Sequence, residues 1–288
     1  MPSSLLCPSG LRLAMGPVRA EPRLWARFVE RGGTCFDTAR HYGDESEAAL
    51  GAFVERHGLR DRITIVGKGA HPPACAPEHL APDLERSLEL LRADRLDVFL
   101  LHRDDPRVPV DEWADALAEL LAAGRVAAIG ASNWTSERID AFDVVAARRG
   151  LPGFALVSNQ LSLAEMVEPV WEGCLRADLA WHERTGRTLL AWSAQARGFF
   201  SRREPDEELG RCWLSARNLE RRRRTEELAA ARGVPPVAVA LAWVLARPFP
   251  THAAVGPRDE AELEACLAGA RLELDPAEAD WLERGTAP

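Results

Sequence analysis

The sequence predicts an α/β protein that folds as a (β/α)8 barrel, the TIM barrel. Short apolar segments alternate with longer segments of helical spacing, and these units recur about every 30 residues along the chain. The apolar segments lack polar alternation, which is typical of parallel strands covered on both faces. The length of 288 residues suits one such barrel, so we predict a single domain over residues 1–288.

Eight apolar segments are the predicted strands of the barrel. In chain order they cover residues 12–15, 34–37, 63–68, 96–102, 126–132, 154–160, 188–193 and 252–256. Segments with helical spacing lie between them, at residues 47–57, 82–91, 111–123, 136–149 and 237–245. Asp111 and Ser136 are residue types that begin helices, and glycines that end helices stand at positions 58, 124 and 150.

An open, doubly wound sheet is the main competing architecture for this alternation. Such a sheet requires a glycine-rich phosphate loop after an early strand, and the sequence contains neither GxGxxG nor GxxxxGK[ST]. The segment 161–174 predicts a loop over the barrel mouth, and the segment 194–222 is the longest stretch without periodicity. The first 16 residues are short, so we expect them to cover little of the barrel bottom.

Composition and charge exclude several classes of partner. The net charge of −8 argues against nucleic-acid binding, and no stretch of about 18 apolar residues predicts a membrane span. The start of the chain lacks the basic and apolar segments of a signal peptide. Six cysteines are scattered without metal-binding spacing, which is typical of reduced thiols, so we expect a cytoplasmic protein without a bound metal.

Two further motifs have ordinary explanations. The basic run Arg221–Arg224 precedes Glu226 and Glu227, so we predict a solvated helix face rather than a nucleic-acid contact. An HExxH zinc motif begins at His182, but Gly186 stands in place of the second histidine, which rejects a zinc helix.

Polar or ionisable side chains end or follow most of the predicted strands. Active residues of (β/α)8 enzymes lie at the carboxyl ends of the strands, which all face one mouth. The side chains at these ends are Asp37, Lys68, His102, Ser132, Asn133, Gln160, Trp192 and Ser193. Each alone has a structural explanation, such as a helix cap or a buried histidine. Their convergence on one mouth instead predicts a functional site.

Tyr42 is the only tyrosine in the sequence, and it follows Asp37 in the second strand-to-helix loop. Reduction of a carbonyl group needs a hydride at carbon and a proton for the developing alkoxide. A phenol is a weak acid near neutral pH unless a neighbouring cation, such as Lys68, favours its anion. A carboxylate such as Asp37 can orient that cation, and a neutral histidine such as His102 can polarise the carbonyl oxygen.

The sequence resembles the aldo-keto reductase superfamily along almost its whole length. The segments that carry the likeness are FDTARHYGDESEAALG (36–51), VGKG (66–69), LDVFLLHRDDP (96–106), AIGASNW (128–134), VSNQ (157–160), LLAWSAQARGFF (189–200) and VGPRDEAELEA (255–265). The resemblance implies a catalytic tetrad in which Tyr42 is the general acid and its partners are Asp37, Lys68 and His102.

The resemblance also implies a site for NADPH, with NADH as the other candidate. Ser132, Asn133 and Gln160 would hold the carboxamide of the nicotinamide, and Trp192 would stack on its ring, next to Ser193. These groups would fix which face of the ring offers hydride.

Three parts of the cofactor region depart from the usual family pattern. Arg258 suits a contact with the adenosine phosphate, but Glu262 stands where relatives usually carry Gln or Arg. A carboxylate there repels a 2′-phosphate. Cys266 stands where relatives usually carry Asn. The loop SAQARGFF differs from the loop that is common in the family, so Gln195 and Arg197 would contact the pyrophosphate in a different way.

We therefore expect an NAD(P)H-dependent oxidoreductase that reduces a small aldehyde or ketone, or oxidises an alcohol. Two other hypotheses stay open: a non-catalytic nucleotide-binding barrel that acts as a sensor or subunit, and a Schiff-base lyase that uses Lys68. The Asp37 carboxylate opposes the lyase because it keeps the amine protonated. Loops 17–23, 103–110, 161–174 and 194–222 set the substrate, and secondary-metabolite ketones and sugar-derived carbonyls both fit the sequence.

Overall fold

The computed structural model describes residues 6–7, 10–16, 21–201 and 206–285, and their strands form a closed barrel. The strands are β1 (Leu13–Met15), β2 (Cys35–Asp37), β3 (Thr64–Gly69), β4 (Leu96–Leu101), β5 (Val126–Ser132), β6 (Leu156–Ser158), β7 (Thr188–Ala191) and β8 (Thr251–Val255). Each strand pairs in parallel with the next, and β8 pairs with β1 to close the ring. The predicted barrel is confirmed, and every strand overlaps a predicted segment.

Helices cover the outside of the barrel. They are α1 (Pro22–Glu30), α2 (Asp44–Arg56), α3 (Leu80–Leu91), α4 (Val110–Ala122), α5 (Ser136–Arg148), α6 (Leu179–Thr185), α7 (Glu207–Trp213), α8 (Ala216–Arg232), α9 (Pro236–Leu245), α10 (Glu260–Arg271) and α11 (Pro276–Arg284). The five predicted helices form as α2, α3, α4, α5 and α9. The cap of α5 is Thr135 rather than Ser136, because the Thr135 side chain accepts the Arg138 N–H.

Strand side chains alternate between the barrel interior and the helix layer. On β4, Val98 and Leu100 pack in an interior cluster, while Phe99 and Leu101 belong to the core between sheet and helices. The interior cluster consists of Leu6, Cys7, Ala14, Cys35, Val66, Val98, Leu100, Leu156 and Leu190. Its first two members come from the N-terminal segment, so this segment covers more of the interior than expected.

The connection after β7 is more regular than predicted. The sequence predicts no periodic structure over residues 194–222, but α7 and the first turns of α8 lie there. Asp206 and Ser215 cap these helices, each accepting a backbone N–H three residues later. The prediction was wrong because α8 consists largely of charged residues, so no apolar stripe marks it.

The arginine run in α8 is only partly solvated, so that prediction is wrong for two of its members. Arg221 is 2% exposed and Arg224 is 8% exposed. Arg221 donates hydrogen bonds to the carbonyl oxygens of Leu163 (3.0 Å) and Glu283 (3.1 Å), and Arg224 donates to a carbonyl at the end of α11. Their three-residue spacing puts both on one face of α8, towards the protein.

No single helix among the described residues is long and apolar enough to cross a membrane. The helices α8 and α9 are long and apolar enough only when they are counted as one segment, and the chain bends by 102° between them.

Replacing Arg221 with Met should lower the free energy of unfolding by about 2–4 kcal/mol, because the buried Leu163 carbonyl loses a charged donor. Urea unfolding followed by circular dichroism measures the change. Arg223→Met is the matched control, since Arg223 is exposed and pairs with glutamates of its own helix. The control should lose less than about 0.5 kcal/mol. Equal losses for both variants would contradict the structural role of Arg221.

Candidate active site

The period of the strands brings three ionisable side chains to the barrel mouth. Cys35, Val66 and Leu100 fill the interior, and the side chains two positions later therefore point to the same face nearer the carboxyl end. Those positions hold Asp37, Lys68 and His102, which are 5%, 3% and 5% exposed. Tyr42 joins them from the 3-10 turn Arg40–Tyr42 that follows β2.

Lys68 is held by two fixed acceptors. Its Nζ donates to Asp37 Oδ1 at 2.6 Å and to the Thr38 carbonyl oxygen at 2.9 Å, and it lies 5.1 Å from the centre of the Tyr42 ring. Burial disfavours the ammonium, but the Asp37 carboxylate and the Tyr42 hydroxyl raise the pKa of Lys68 above its ordinary value. Lys68 is therefore protonated at neutral pH, which argues against a Schiff-base nucleophile.

The Tyr42 hydroxyl remains protonated at neutral pH. Removal from water raises the pKa of Tyr42, while the charge of Lys68, a hydrogen bond with Lys68 and the charge of Arg103 lower it in part. The hydroxyl therefore has a proton to donate, although burial outweighs the expected help from Lys68 and the pKa of Tyr42 is above its ordinary value. The two cations stabilise the phenolate that remains after the proton has left.

His102 is a neutral imidazole beside this phenol. The two rings are perpendicular, with centroids 5.9 Å apart. Burial, followed by the charges of Lys68 and Arg103, holds the pKa of His102 well below its usual range. Its Nδ1 has no hydrogen-bond partner within the part of the chain that the structure describes.

Two further histidines lie next to His102. His41 and His71 stack with ring centroids 3.5 Å apart, and His71 is 4.8 Å from the His102 ring. His41 directly precedes Tyr42 in the sequence, and sequence reasoning did not single out His71. Its position three residues after Lys68, in the loop that follows β3, was the available signal.

The side chains predicted to hold a carboxamide are all buried, and the Asn133 side chain and the Gln160 backbone both hydrogen-bond Leu175. Asn133 donates from Nδ2 to Ser132 Oγ at 2.9 Å, and its Oδ1 accepts the Leu175 N–H at 3.1 Å. Gln160 donates to Ser162 Oγ at 2.9 Å, and its Oε1 has no partner among the described residues. A buried acceptor without a donor fits the N–H group of an amide ligand.

A cavity of about 540 Å³ connects Tyr42 with the start of α10. Its lining includes Asp37, Tyr42, Trp192, Ser193, Gln195, Arg197, Arg258, Glu262 and Cys266, whereas the carboxamide group lies outside this lining. Trp171 also lines the cavity and stacks on Trp192 at 4.7 Å. Trp171 was not among the predicted site residues, although it lies in the predicted mouth loop 161–174.

The loop after β7 carries a strained backbone along the cavity. Ser193, Ala196 and Arg197 have φ values of 50°, 48° and 53°, a left-handed conformation that costs non-glycine residues about 1 kcal/mol each. Arg197 pairs with Glu208 at 2.5 Å. Gln195 accepts the thiol of Cys266 at 3.5 Å.

The far end of the cavity holds a close ion pair. Glu262 Oε1 accepts Arg258 Nε at 2.7 Å, and Glu262 Oε2 accepts the Arg258 backbone N–H at 2.8 Å. The hydrogen bond to Glu262 is the main reason that the pKa of Arg258 is raised. The carboxylate neutralises the guanidinium that the sequence assigns to an adenosine phosphate.

The model of the Aldo/keto reductase family matches residues 20–284. The chain belongs to the aldo/keto reductase family. This confirms the resemblance seen in the sequence, and it confirms the predicted activity class, an oxidoreductase that acts on carbonyl and alcohol groups.

Similar curated proteins are reductases of bacteria and fungi. Aldo-keto reductase YhdN of Bacillus subtilis is 27% identical over 267 residues, covering 82% of this chain and 74% of that protein. Norsolorinic acid reductase stcV of Emericella nidulans is 27% identical, with 92% and 72% covered. The 6-dehydroglucose reductase of Agrobacterium fabrum is 28% identical, with 90% and 84% covered.

Among solved structures, the thermostable aldo-keto reductase Tm1743 in complex with the inhibitor epalrestat has the same fold. The TM-score is 0.75 at 23% sequence identity, and 94% of each chain is covered.

The low pKa of His102 predicts a loss of stability in acid. The unfolded chain binds a proton at His102 below pH ~6.5 while the folded protein does not, so stability falls as the pH falls. Proton binding at His102 lowers the free energy of unfolding by at most about 1.4 kcal/mol for each pH unit. Urea unfolding at neutral pH and near pH 5 should therefore show a smaller decrease for His102→Asn than for the wild type. An equal decrease would mean that His102 is protonated in the folded state.

Proposed function

We propose that this protein is an NAD(P)H-dependent carbonyl reductase, built as one barrel domain, in which Tyr42 donates the proton. It converts an aldehyde or ketone to an alcohol, and the same site can run the reverse oxidation. The observation that supports this proposal most directly is a protonated phenol that lines the cavity and has Lys68 and a neutral His102 next to it.

Each member of this group has a separate task. A reduced nicotinamide, when bound, supplies the hydride. His102 donates a hydrogen bond to the carbonyl oxygen, and Tyr42 passes its proton to that oxygen as negative charge develops there. Lys68 stabilises the phenolate left on Tyr42, and Asp37 fixes the position of Lys68.

Residues of the cavity, together with the predicted carboxamide ligands outside its lining, suit a nicotinamide dinucleotide. Gln160 Oε1 lacks a donor among the described residues, and Ser132 and Asn133 lie with it, so we assign the carboxamide to this group. Trp192 and Ser193 would contact the nicotinamide end. Further along the cavity, the pyrophosphate and adenosine would meet Gln195, Arg197, Arg258 and Glu262.

Glu262 affects which coenzyme binds. NADPH is the prediction from the family resemblance, with NADH as the alternative. The Glu262 carboxylate accepts hydrogen bonds from both the side chain and the backbone N–H of Arg258. We therefore propose that Glu262 weakens binding of a 2′-phosphate. A ribose hydroxyl can donate a hydrogen bond to the same carboxylate, which favours NADH relative to NADPH.

The remaining assignments rest on the sequence and on the names of relatives. Relatives named for norsolorinic acid and for 6-dehydroglucose support a small-molecule carbonyl substrate. A cytoplasmic location without nucleic-acid or membrane partners stays a prediction. The sensor hypothesis has no specific observation in its favour, and the charged Lys68 opposes the lyase.

Replacing Tyr42 with Phe should lower kcat by at least about 100-fold, because the substrate oxygen loses its proton donor. The dissociation constants of NADPH and NADH should change by less than about threefold. Turnover is measured by loss of reduced-coenzyme absorbance with a panel of aldehydes and ketones, and binding by quenching of tryptophan fluorescence. A variant with undiminished turnover would exclude Tyr42 as the acid.

Replacing Glu262 with Gln should lower the ratio of the NADPH to the NADH dissociation constant by about tenfold, since a repelling charge is removed. Binding titrations with both coenzymes measure this ratio without turnover. Glu260→Gln is the matched control, because Glu260 is an exposed carboxylate of the same helix and lies outside the cavity lining. If both variants leave the ratio unchanged, Glu262 does not select the coenzyme.

A further inference from the structure

Arg103 is a buried cation at the barrel mouth, directly after His102. Arg103 is 8% exposed, and its Nη1 donates a hydrogen bond to the His102 carbonyl oxygen at 3.2 Å. The guanidinium lies over Trp171, 5.2 Å from the ring centre. A guanidinium carries five N–H donors, so these contacts leave most of its hydrogen-bonding capacity for another group.

No carboxylate among the described residues forms an ion pair with this guanidinium. The next two residues are acidic but engaged elsewhere, since Asp104 pairs with Arg138 at 2.9 Å and Asp105 pairs with Arg107 at 2.6 Å. Burial lowers the pKa of Arg103, and the groups that oppose this effect are a phenol and two thiols rather than a carboxylate.

The other charges of the site cancel without Arg103. Lys68 and Asp37 form a pair, and the neighbouring imidazoles of His102 and His71 are neutral because burial lowers the pKa of each. One positive charge is therefore in excess beside Tyr42. A buried charge without a partner is unfavourable for folding, so its presence next to a cavity indicates a ligand that supplies the opposite charge.

The cavity reaches the ring on which Arg103 lies, although Arg103 itself is not part of the lining. Trp171 lines the cavity together with Tyr42, and Arg103 stacks on Trp171. The planar guanidinium matches the two oxygens of a carboxylate, with which it forms paired charge-assisted hydrogen bonds.

We propose that the substrate carries a carboxylate in addition to its carbonyl group, and that Arg103 binds this carboxylate while the carbonyl oxygen faces Tyr42. The proposal rests on the proposed reductase function, whose substrate class it specifies. The tryptophans of the cavity wall provide apolar contact for the part of the substrate between the two groups.

Matched pairs of substrates test the proposal. The ortho, meta and para isomers of carboxybenzaldehyde carry the anion at different distances from the aldehyde, and their methyl esters are the neutral counterparts. With the wild type, at least one acid should have a kcat/KM at least about tenfold above that of its ester, expressed mainly in KM. Equal values for every pair would overturn the proposal.

Three variants locate the effect. Arg103→Met should lower kcat/KM for the preferred acid by about 30-fold and change that of its ester by less than about threefold. Arg103→Lys keeps the charge without the planar fork and should lose less, and it serves as the test if the Met variant does not fold. Arg107→Met is the matched control for charge, since Arg107 is exposed on the same loop, and it should affect acid and ester alike. Equal losses for acid and ester in both Arg103 variants would mean that Arg103 does not bind the carboxylate.

A binding experiment separates this proposal from the reductase assignment. Calorimetry with coenzyme-loaded protein should show tighter binding of a hydroxymethylbenzoate isomer than of its methyl ester, and Arg103→Met should remove the difference. If the protein binds the acid through Arg103 but reduces no aldehyde, the carboxylate site stands and the proposed function fails. If it reduces acids and esters equally, the function stands and the carboxylate site fails.

Discussion

The buried ion pair between Lys68 and Asp37 is the contact on which the candidate site depends. An ammonium has three N–H donors, and Asp37 and the Thr38 carbonyl accept two of them. The third is left for the phenol of Tyr42. Because both acceptors lie at the end of β2 and Lys68 lies on β3, the pairing of these neighbouring strands positions the ammonium, and the turn Arg40–Tyr42 brings the phenol to it. Loss of either partner would leave a charge buried without compensation.

Charge is distributed unequally along the cavity. At the mouth, Lys68 is balanced by Asp37 and Arg103 is not, so the potential near Tyr42 is positive and favours negative charge on a substrate oxygen. At the start of α10 the situation is reversed, because Glu262 neutralises the guanidinium of Arg258. An arginine therefore contributes a net positive charge near Tyr42 but none at the start of α10, where a carboxylate pairs with it.

The barrel and the strand-end residues could be predicted because they follow from local rules. A buried parallel strand has a recognisable apolar pattern, and its period of two determines that Lys68 points into the mouth. The stack of Trp171 on Trp192 could not be predicted, because it depends on how a loop without periodicity packs against another strand. The burial of Arg221 has the same origin, since its acceptors are remote in sequence and nothing in the arginine run identifies them.

The contacts of Arg221 connect a mouth loop with the C-terminal helix, two parts of the chain that are remote in sequence. One guanidinium links the C-terminal helix α11 to the carbonyl of Leu163, in the loop that also carries Trp171. Loop exchange between barrels is an established way to alter specificity because loops and scaffold are usually independent. Here the mouth loop, α8 and α11 are connected through Arg221, so a graft that replaces residues 163–165 removes both the Leu163 carbonyl and the Glu165 carboxylate as its acceptors. A change in the mouth loop therefore also alters a contact that holds the C-terminal helix in place.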